Sequence, residues 1–352
     1  MSFFSSSQEK SWIFKSAESL AKNRTDKHEN YLNSCIHTED ELLTFSEEST
    51  LVKYYEQRLR DFCHNFRPYI NGDPAEIPLP LHTIYTACTY FKRLYLNNSC
   101  MDYHPRLSYF GCVWLALKVE EFFVEIDPFC YNAMGGKDNA HRNYQETQEL
   151  GDEILAIELL LMRALNYELV VHHPFRAIEG FILDIKTINL GQINMQAVDF
   201  RPLQNKAVQL TFDSLRTDLM FLFNPSHLAL AFLAIAAKEI KSTHKVLTDI
   251  FNGYMKSYLA KDPVMKKKLL TIVKEVEKML KSVKSEVEIK AEEIEKLKQK
   301  LETCRNPLFN PKTKEFKKAE NSDEEDDKGN PDDTIRTIES NMSDEEPDLL
   351  GF

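Results

Sequence analysis

Glycine is scarce in this chain, 10 residues in 352, well under ordinary usage. So little glycine leaves few places for backbone to wrap a phosphate, and neither a G-x-G-x-x-G fingerprint nor a P-loop is present. H-E-x-x-H and G-x-S-x-G are missing as well. The seven cysteines, at 35, 63, 88, 100, 112, 130 and 304, are odd in number, scattered, and never spaced C-x-x-C. They read as free thiols of a reducing compartment, not as disulfides or a zinc site. Long apolar runs are lacking too. The longest, "LALAFLAIAA" (228–237), falls short of the roughly 20 residues a spanning helix needs. "MSFFSSSQEK" has no basic stretch ahead of an apolar core, so no signal peptide is expected.

A basic excess is also absent. The net charge is −11, and residues 319–352, with 13 acids against 2 bases, carry all of it. The remaining body is neutral on balance and lacks the footprint of a nucleic-acid binder. His172 and His173 form the only histidine cluster. With no nucleophile or metal ligand at a matching spacing, they read as structural. Gly135-Gly136-Lys137 is a turn signal and nothing more. These absences disfavour an enzyme, a cofactor, a metal, a membrane span and direct nucleic-acid binding. They suit a soluble cytoplasmic or nuclear protein.

What is present is helical. Hydrophobic residues make up 43% of the chain, and their spacing from 50 to 305 follows the helical period, with little strand-like alternation. "STLVKYYEQRLRDFCHNF" (49–66) puts Leu51, Tyr54, Tyr55, Leu59 and Phe62 on one stripe, with Ser49 or Thr50 as its cap. "LPLHTIYTACTYFKRLYL" (79–96) follows a Gly-Asp-Pro turn, and "HPRLSYFGCVWLALKVEEF" (104–122) opens on Pro105 at a natural first-turn position. A loop with Gly135 and Gly136 precedes "GDEILAIELLLMRALNYELVV" (151–171). A second set runs from "HHPFRAIEGFILDI" to "PVMKKKLLTIVKEVEKMLKSV". Two sets of about five helices suggest a duplication. Laying His104-Pro105 over Asn224-Pro225, an offset of 120, brings Lys118 onto Lys238 at the end of matching apolar helices. That period is far too long for the common helical solenoid repeats.

Flanking the two sets, a helix is expected within 8–33, after "SWIF". A charged one is expected at 284–304, with Val287, Ile294, Leu297, Leu301 and Cys304 on a narrow seam. From Asn306 the chain is polar and acidic and reads as disordered. In that tail "NSDEEDD" and "MSDEEPD" set Ser322 and Ser343 before acids, the pattern that acid-directed kinases select; both serines are expected to be phosphorylated.

Glu158 is the one acid in the run Ile154–Met162, and Lys118 ends an equally apolar helix. Either charge is costly to bury alone. Periodicity leaves three readings open: the two pair inside the domain, each lies on a solvated stripe, or both face a patch that receives another protein's backbone.

"LALKVEE", followed some forty residues later by "IELLLMRALNYEL", resembles the cyclin box. "KYYEQRLRDF", "YFKRLYLNNSCMDYHPR" and "HHPFRAIEGFILDIKT" resemble one branch of that family, the regulatory subunit of a CDK-activating kinase, over roughly residues 5–305. The resemblance implies an all-α fold of tandem five-helix boxes with N- and C-terminal flanking helices. Its domains would be an N-terminal extension 1–47, boxes at 48–171 and 172–284, a C-terminal helix 285–306 and the tail 307–352. It implies a kinase-binding site of Lys118, Glu121, Phe122, Glu158, Met162, Tyr167 and Leu169. It also implies a non-enzyme, nuclear protein that activates a cyclin-dependent kinase. The partners would be that kinase, a RING-containing assembly subunit and the transcription factor IIH core. The activated kinase would act on kinase activation loops and the RNA polymerase II C-terminal repeats, in transcription, nucleotide excision repair and the cell cycle. The alternatives are a cyclin-fold transcription factor that binds DNA and a helical scaffold without a kinase. "MRAL" (162–165) looks like the substrate-docking motif of cell-cycle cyclins but lies in the wrong helix, so R-x-L docking is not expected. The segment 123–150 looks longer than in the family. The last helix of the second set shows no lone acid to match Glu158.

Overall fold

The computed structural model describes residues 3–34, 42–70, 73–74, 77–187, 198–260, 263–284 and 290–316. Val287, Cys35, Ser322 and Ser343 lie outside them. After a 3-10 turn at Phe3–Ser5 the chain forms two leading helices, α1 (Ser7–Ser11) and α2 (Ala17–Ser34). The first set follows: α3 (Phe45–Asn65), α4 (Leu81–Asn97), α5 (Pro105–Val119), α6 (Ile126–Ala133), α7 (Lys137–Arg142) and α8 (Tyr144–Ala164). The second set is α9 (Phe175–Thr187), α10 (Arg201–Ser214), α11 (Pro225–Glu239), α12 (Lys245–Ala260) and α13 (Pro263–Lys284), and α14 (Ala291–Cys304) trails it. Among the described residues, strand is limited to one antiparallel pair, β1 (Tyr69–Ile70) with β2 (Asp73–Pro74). The fold is the all-α tandem that the sequence implied. No helix among the described residues is long and apolar enough to cross a membrane.

Each set is built around one helix that is apolar on nearly every side. In α5 every residue from Pro105 to Leu117 except Arg106 is buried, and α11 is nearly as enclosed. Such helices serve as axles, because an all-round apolar surface is stable only when neighbours cover all of it. α3, α4 and α8 pack around α5, while α9, α10, α12 and α13 pack around α11. The offset of 120 carries over into structure. Both axles have 15 residues, open with proline at the first position, and are preceded by His104 or Asn224. Gly111 lets α8 approach closely: a Cβ there would lie 2.5 Å from Leu161 Cδ1 and 3.0 Å from Ile157 Cδ1.

Several boundaries differ from the sequence reading. Thr44, not Ser49 or Thr50, caps α3, through a capping box with Glu47. The segment taken for a loop holds α6, α7 and the start of α8. α6 has only eight residues and carries Pro128 in its first turn, where proline is tolerated, so its periodicity is too short to register. α8 ends at Ala164 rather than continuing to 171, because Asn166 and Tyr167 take positive φ of 52° and 54°.

The flanking helices cover the first set. Trp12 and Leu20 from the N-terminal segment, and Leu297, Leu301 and Cys304 from α14, join the apolar cluster of the first set. The seam is therefore closed against the protein's own α3. Lys300 bonds Glu47 at 2.7 Å, and Lys298 stands over the Tyr54 ring at 5.0 Å. The N-terminal segment also reaches the second set. Arg24 grips Asp218 with two bonds of 2.7 and 2.8 Å, and the Phe14 N–H donates to Phe221 O at 2.7 Å. The cysteines at 63, 88, 100, 112, 130 and 304 are free and buried, and burial raises their thiol pKa values. From Arg305 onward the chain forms a separate unit, whose described part holds a 3-10 turn at Pro307–Phe309.

Candidate functional site

The charged end of α5 meets the middle of α8. Helical spacing sets which side of α8 does what. Thr147, Leu150, Gly151, Ile154, Ile157 and Leu161 recur every three or four residues and are buried. That stripe leaves Glu158 at its edge and turns Leu155 and Leu159 outward, both exposed. The Lys118 ammonium donates to Glu158 Oε1, and the Trp114 indole N–H donates to Oε2 at 3.0 Å. Lys118 also stands 5.9 Å from the centre of the Trp114 ring. The pair is lopsided: the lysine side chain is 51% exposed and the glutamate 15%. The two ions therefore pair with each other, while the lysine keeps a face toward solvent.

Stability alone does not account for the pair. A half-exposed ion pair contributes about 0–1 kcal/mol. What the arrangement offers is unused hydrogen-bonding capacity at fixed positions. An ammonium has three donors and a carboxylate about four acceptor sites, of which the contacts above use one donor and two acceptor sites.

Both helices end in the same way beside the pair. After α5, the Glu121 N–H donates to Lys118 O at 3.3 Å and the Phe122 N–H to Leu117 O at 2.9 Å. After α8, the Asn166 N–H donates to Arg163 O and the Tyr167 N–H to Met162 O, each at 2.8 Å. These are Schellman closures, which need a left-handed residue just past the cap. Glycine usually fills that position. Here Glu121, at φ 57°, and Asn166 fill it, and Tyr167 is left-handed as well. Each non-glycine residue held there costs about 1–2 kcal/mol, and the helix-end turns keep Glu121 and Tyr167 in it.

Of the expected site residues, Lys118 and Glu158 touch side chain to side chain. Glu121 and Tyr167 are exposed, in the turns that close α5 and α8. Phe122, Met162 and Leu169 are half-buried against the core of the first set. The sequence reading missed Phe123, 88% exposed, and the outward Leu155 and Leu159. A signal for the two leucines existed: the run from Ile154 to Met162 is apolar at every position but Glu158, more than one buried stripe requires.

One expectation is overturned. The second set does place an acid opposite its lysine, for Lys238 Nζ lies 2.8 Å from Glu277 Oε1. Lys281 reaches the same oxygen at 2.7 Å. Hydrogen bonds from Lys238 and Lys281 hold the Glu277 carboxyl below its ordinary pKa. In "VKEVEKML" this glutamate looks like one of several solvated charges, and only the docking of α13 on α11 singles it out.

The histidine pair belongs to the connection between the sets. The His172 N–H donates to Gln8 Oε1 at 2.6 Å, and its carbonyl accepts from Gln8 Nε2 at 3.1 Å. Burial, with His82 nearby, pushes His173 down to about 4. Among the described residues, no group of three or more His, Cys, Asp or Glu side chains is placed to hold a metal.

Comparison with known proteins bears on the family and the fold. The family profile "Cyclin, N-terminal domain" matches residues 74–170, and "Cyclin C-terminal domain" matches 173–281. Cyclin-H of Xenopus laevis is 35% identical over 254 residues, covering 70% of this chain and 72% of the relative. Cyclin mcs2 of Schizosaccharomyces pombe is 30% identical over 244 residues, covering 65% and 67%. A chain in the CAK complex of Chaetomium thermophilum bound to ATP-gamma-S shares the fold, with TM-score 0.65 at 23% identity, covering 98% of this chain and 97% of that one. So does a chain of the yeast TFIIK (Kin28/Ccl1/Tfb3) complex, with TM-score 0.58 at 22% identity, covering 79% and 100%.

Proposed function

The chain belongs to the cyclin family, and from that premise we propose that it is the regulatory subunit of a CDK-activating kinase and does no chemistry of its own. The observation that carries this reading is the Lys118–Glu158 pair, with Leu155 and Leu159 exposed on the same helix as Glu158 and with Phe123 and Tyr167 exposed past the ends of α5 and α8. The apolar side chains offer area to bury. The pair offers donors and acceptors to a kinase's regulatory helix and the loop before it. Holding that helix inward lets its glutamate meet the catalytic lysine, the step on which kinase activity depends. Glu121, Phe122, Met162, Tyr167 and Leu169 complete the contact. The boxes of this reading span 48–171 and 172–284.

Assembly with a RING-containing subunit and the transcription factor IIH core, and work in the nucleus on kinase activation loops and RNA polymerase II repeats, follow from the same reading. It is supported by the yeast relative's complex, which holds Kin28 and Tfb3 beside Ccl1. Phosphorylation of Ser322 and Ser343 in cells is proposed as well, and intact-mass analysis of the native protein checks it.

The test mixes the purified chain with its kinase subunit. The chain alone transfers no phosphate, and the mixture does. Lys118→Ala with Glu158→Ala weakens binding by about 2–5 kcal/mol, the cost of leaving a desolvated charged contact unmade, while the helical circular dichroism signal stays. Phosphotransfer by the isolated chain would overturn the reading. Unfolding of the double variant would reduce the pair to an internal bridge.

A further inference from the structure

The duplication allows the kinase-facing site to be read position by position onto the second set. Lys238 stands for Lys118 and Glu277 for Glu158. Counting along the same helices, Lys241 then takes the place of Glu121. On α13, Lys274, Lys278 and Lys281 take the places of Leu155, Leu159 and Met162. The clamp is kept, and these four neighbours have become lysines, while Phe122 and Phe123 fall on Ser242 and Thr243. α13 as a whole carries seven lysines against Glu275 and Glu277. Glu277 is already shared by Lys238 and Lys281, and the nearby Glu239 is taken by Lys206 at 2.8 Å. Lys241, Lys274 and Lys278 are exposed and make no ion pair among the described residues. Lysines one turn apart on one helix repel each other, so this face is at odds with itself until an anion covers it.

We propose that the end of α11 and the outer side of α13 form a docking surface for an acidic segment of a partner protein, contacted by Lys238, Lys241, Lys274, Lys278 and Lys281, with Leu270 as its apolar anchor. Charge complementarity selects the acid. Leu270 selects a peptide over a nucleic acid: it is exposed and lines up with Lys274, Lys278 and Lys281 at helical spacing. α13 has no arginine and no aromatic residue, the side chains that clamp phosphates bidentately and stack on bases. The surface is distinct from the kinase-facing one, so a single chain can hold both partners.

The test uses the full chain and a fluorescent peptide consisting of a run of glutamates followed by two leucines, read by anisotropy. Binding is expected to saturate and to weaken at least ~10-fold when salt is raised from about 0.05 to 0.5 M, as the screening length shrinks. Lys241→Glu with Lys274→Glu and Lys278→Glu should weaken it at least ~10-fold more than reversing Lys10, Lys22 and Lys27, at the other end of the chain. Absence of binding, or equal loss in the two triple variants, overturns the proposal. So does a DNA duplex that binds more tightly than the peptide and is lost with the α11/α13 lysines, which would make the face a nucleic-acid surface.

Discussion

Glu158 in the first set is held by Lys118 and the Trp114 indole, while Glu277 in the second is held by Lys238 and Lys281. The axle residue at the offset of 120 from Trp114 is Ala234, so the second carboxylate has no ring N–H and takes another lysine instead. Next to Glu158 its helix presents Leu155 and Leu159; next to Glu277 the helix presents Lys274 and Lys278. The comparison separates two things that a single box confuses. The lysine–glutamate clamp follows from the way an apolar axle ends: its last turn needs a cation near the helix C-terminus and a counter-ion on the neighbouring helix. What the clamp can receive is set by the side chains beside it.

Making the first face resemble the second tests this most severely. Leu155→Lys with Leu159→Lys should weaken kinase binding on the order of 100-fold or more, the scale of losing central apolar contacts. The melting temperature should barely move, since both side chains are half in water. Calorimetric titration against the kinase subunit checks it, and wild-type affinity in this variant would break the comparison.

Next comes the axle. Ala231 occupies in α11 the place that Gly111 occupies in α5, so only the second set tolerates a Cβ there. Gly111→Val should cost about 2–3 kcal/mol by overpacking Leu161 and Ile157 and should push α5 and α8 apart beneath the clamp. Ala231→Gly should cost about 1 kcal/mol. Urea denaturation of the two variants ranks them.

A smaller effect lies where the N-terminal segment ties the sets together. It is held to the first set by apolar burial but to the second partly by Arg24 and Asp218. Burial by itself would push the Asp218 carboxyl up, yet Arg24 and Lys92 outweigh it and hold the group at about 2. A folded pKa below the unfolded one gives stability that is full above about pH 4 and lost as pH falls from about 4 through 2. Arg24→Ala should remove about 1–2 kcal/mol of stability at neutral pH and flatten that acid-side fall. An unchanged acid profile in the variant would mean that Asp218 is held by something else.

The smallest effect is at Lys238. Lys238→Ala should change stability by less than about 0.5 kcal/mol and leave kinase binding alone, since lysines take the places of the leucines there. A loss comparable to that of Lys118→Ala would mean that both clamps hold the kinase.

How much of the site was legible in the sequence depended on whether its signal was local. Glu158 stood out because eight apolar neighbours surround it, and Lys118 because it ends an apolar run. Glu277 did not stand out, being one charge among many on α13. α6 was hidden by its eight residues and its proline, and the polar first turns of α8, "YQETQEL", read as loop although Thr147 and Leu150 are buried. The α14 seam was visible as apolar spacing, but nothing local said that α3 would cover it.

Composition and spacing by themselves determined that the chain is helical, that it is built twice at an offset of 120, that two axles begin at X-Pro and end in lysine, and that the charge gathers in the tail. Those properties belong to single segments, and burial and hydrogen bonding act on them through periods of three and four residues. Only the tertiary structure decided that Glu277 faces Lys238, and that Leu155 and Leu159 turn outward while Ile157 and Leu161 turn in. Each of these depends on how one helix docks on another, and docking is set by close packing between residues some forty or more positions apart, where Gly111 lets two helices approach and no short stretch of sequence records the distance.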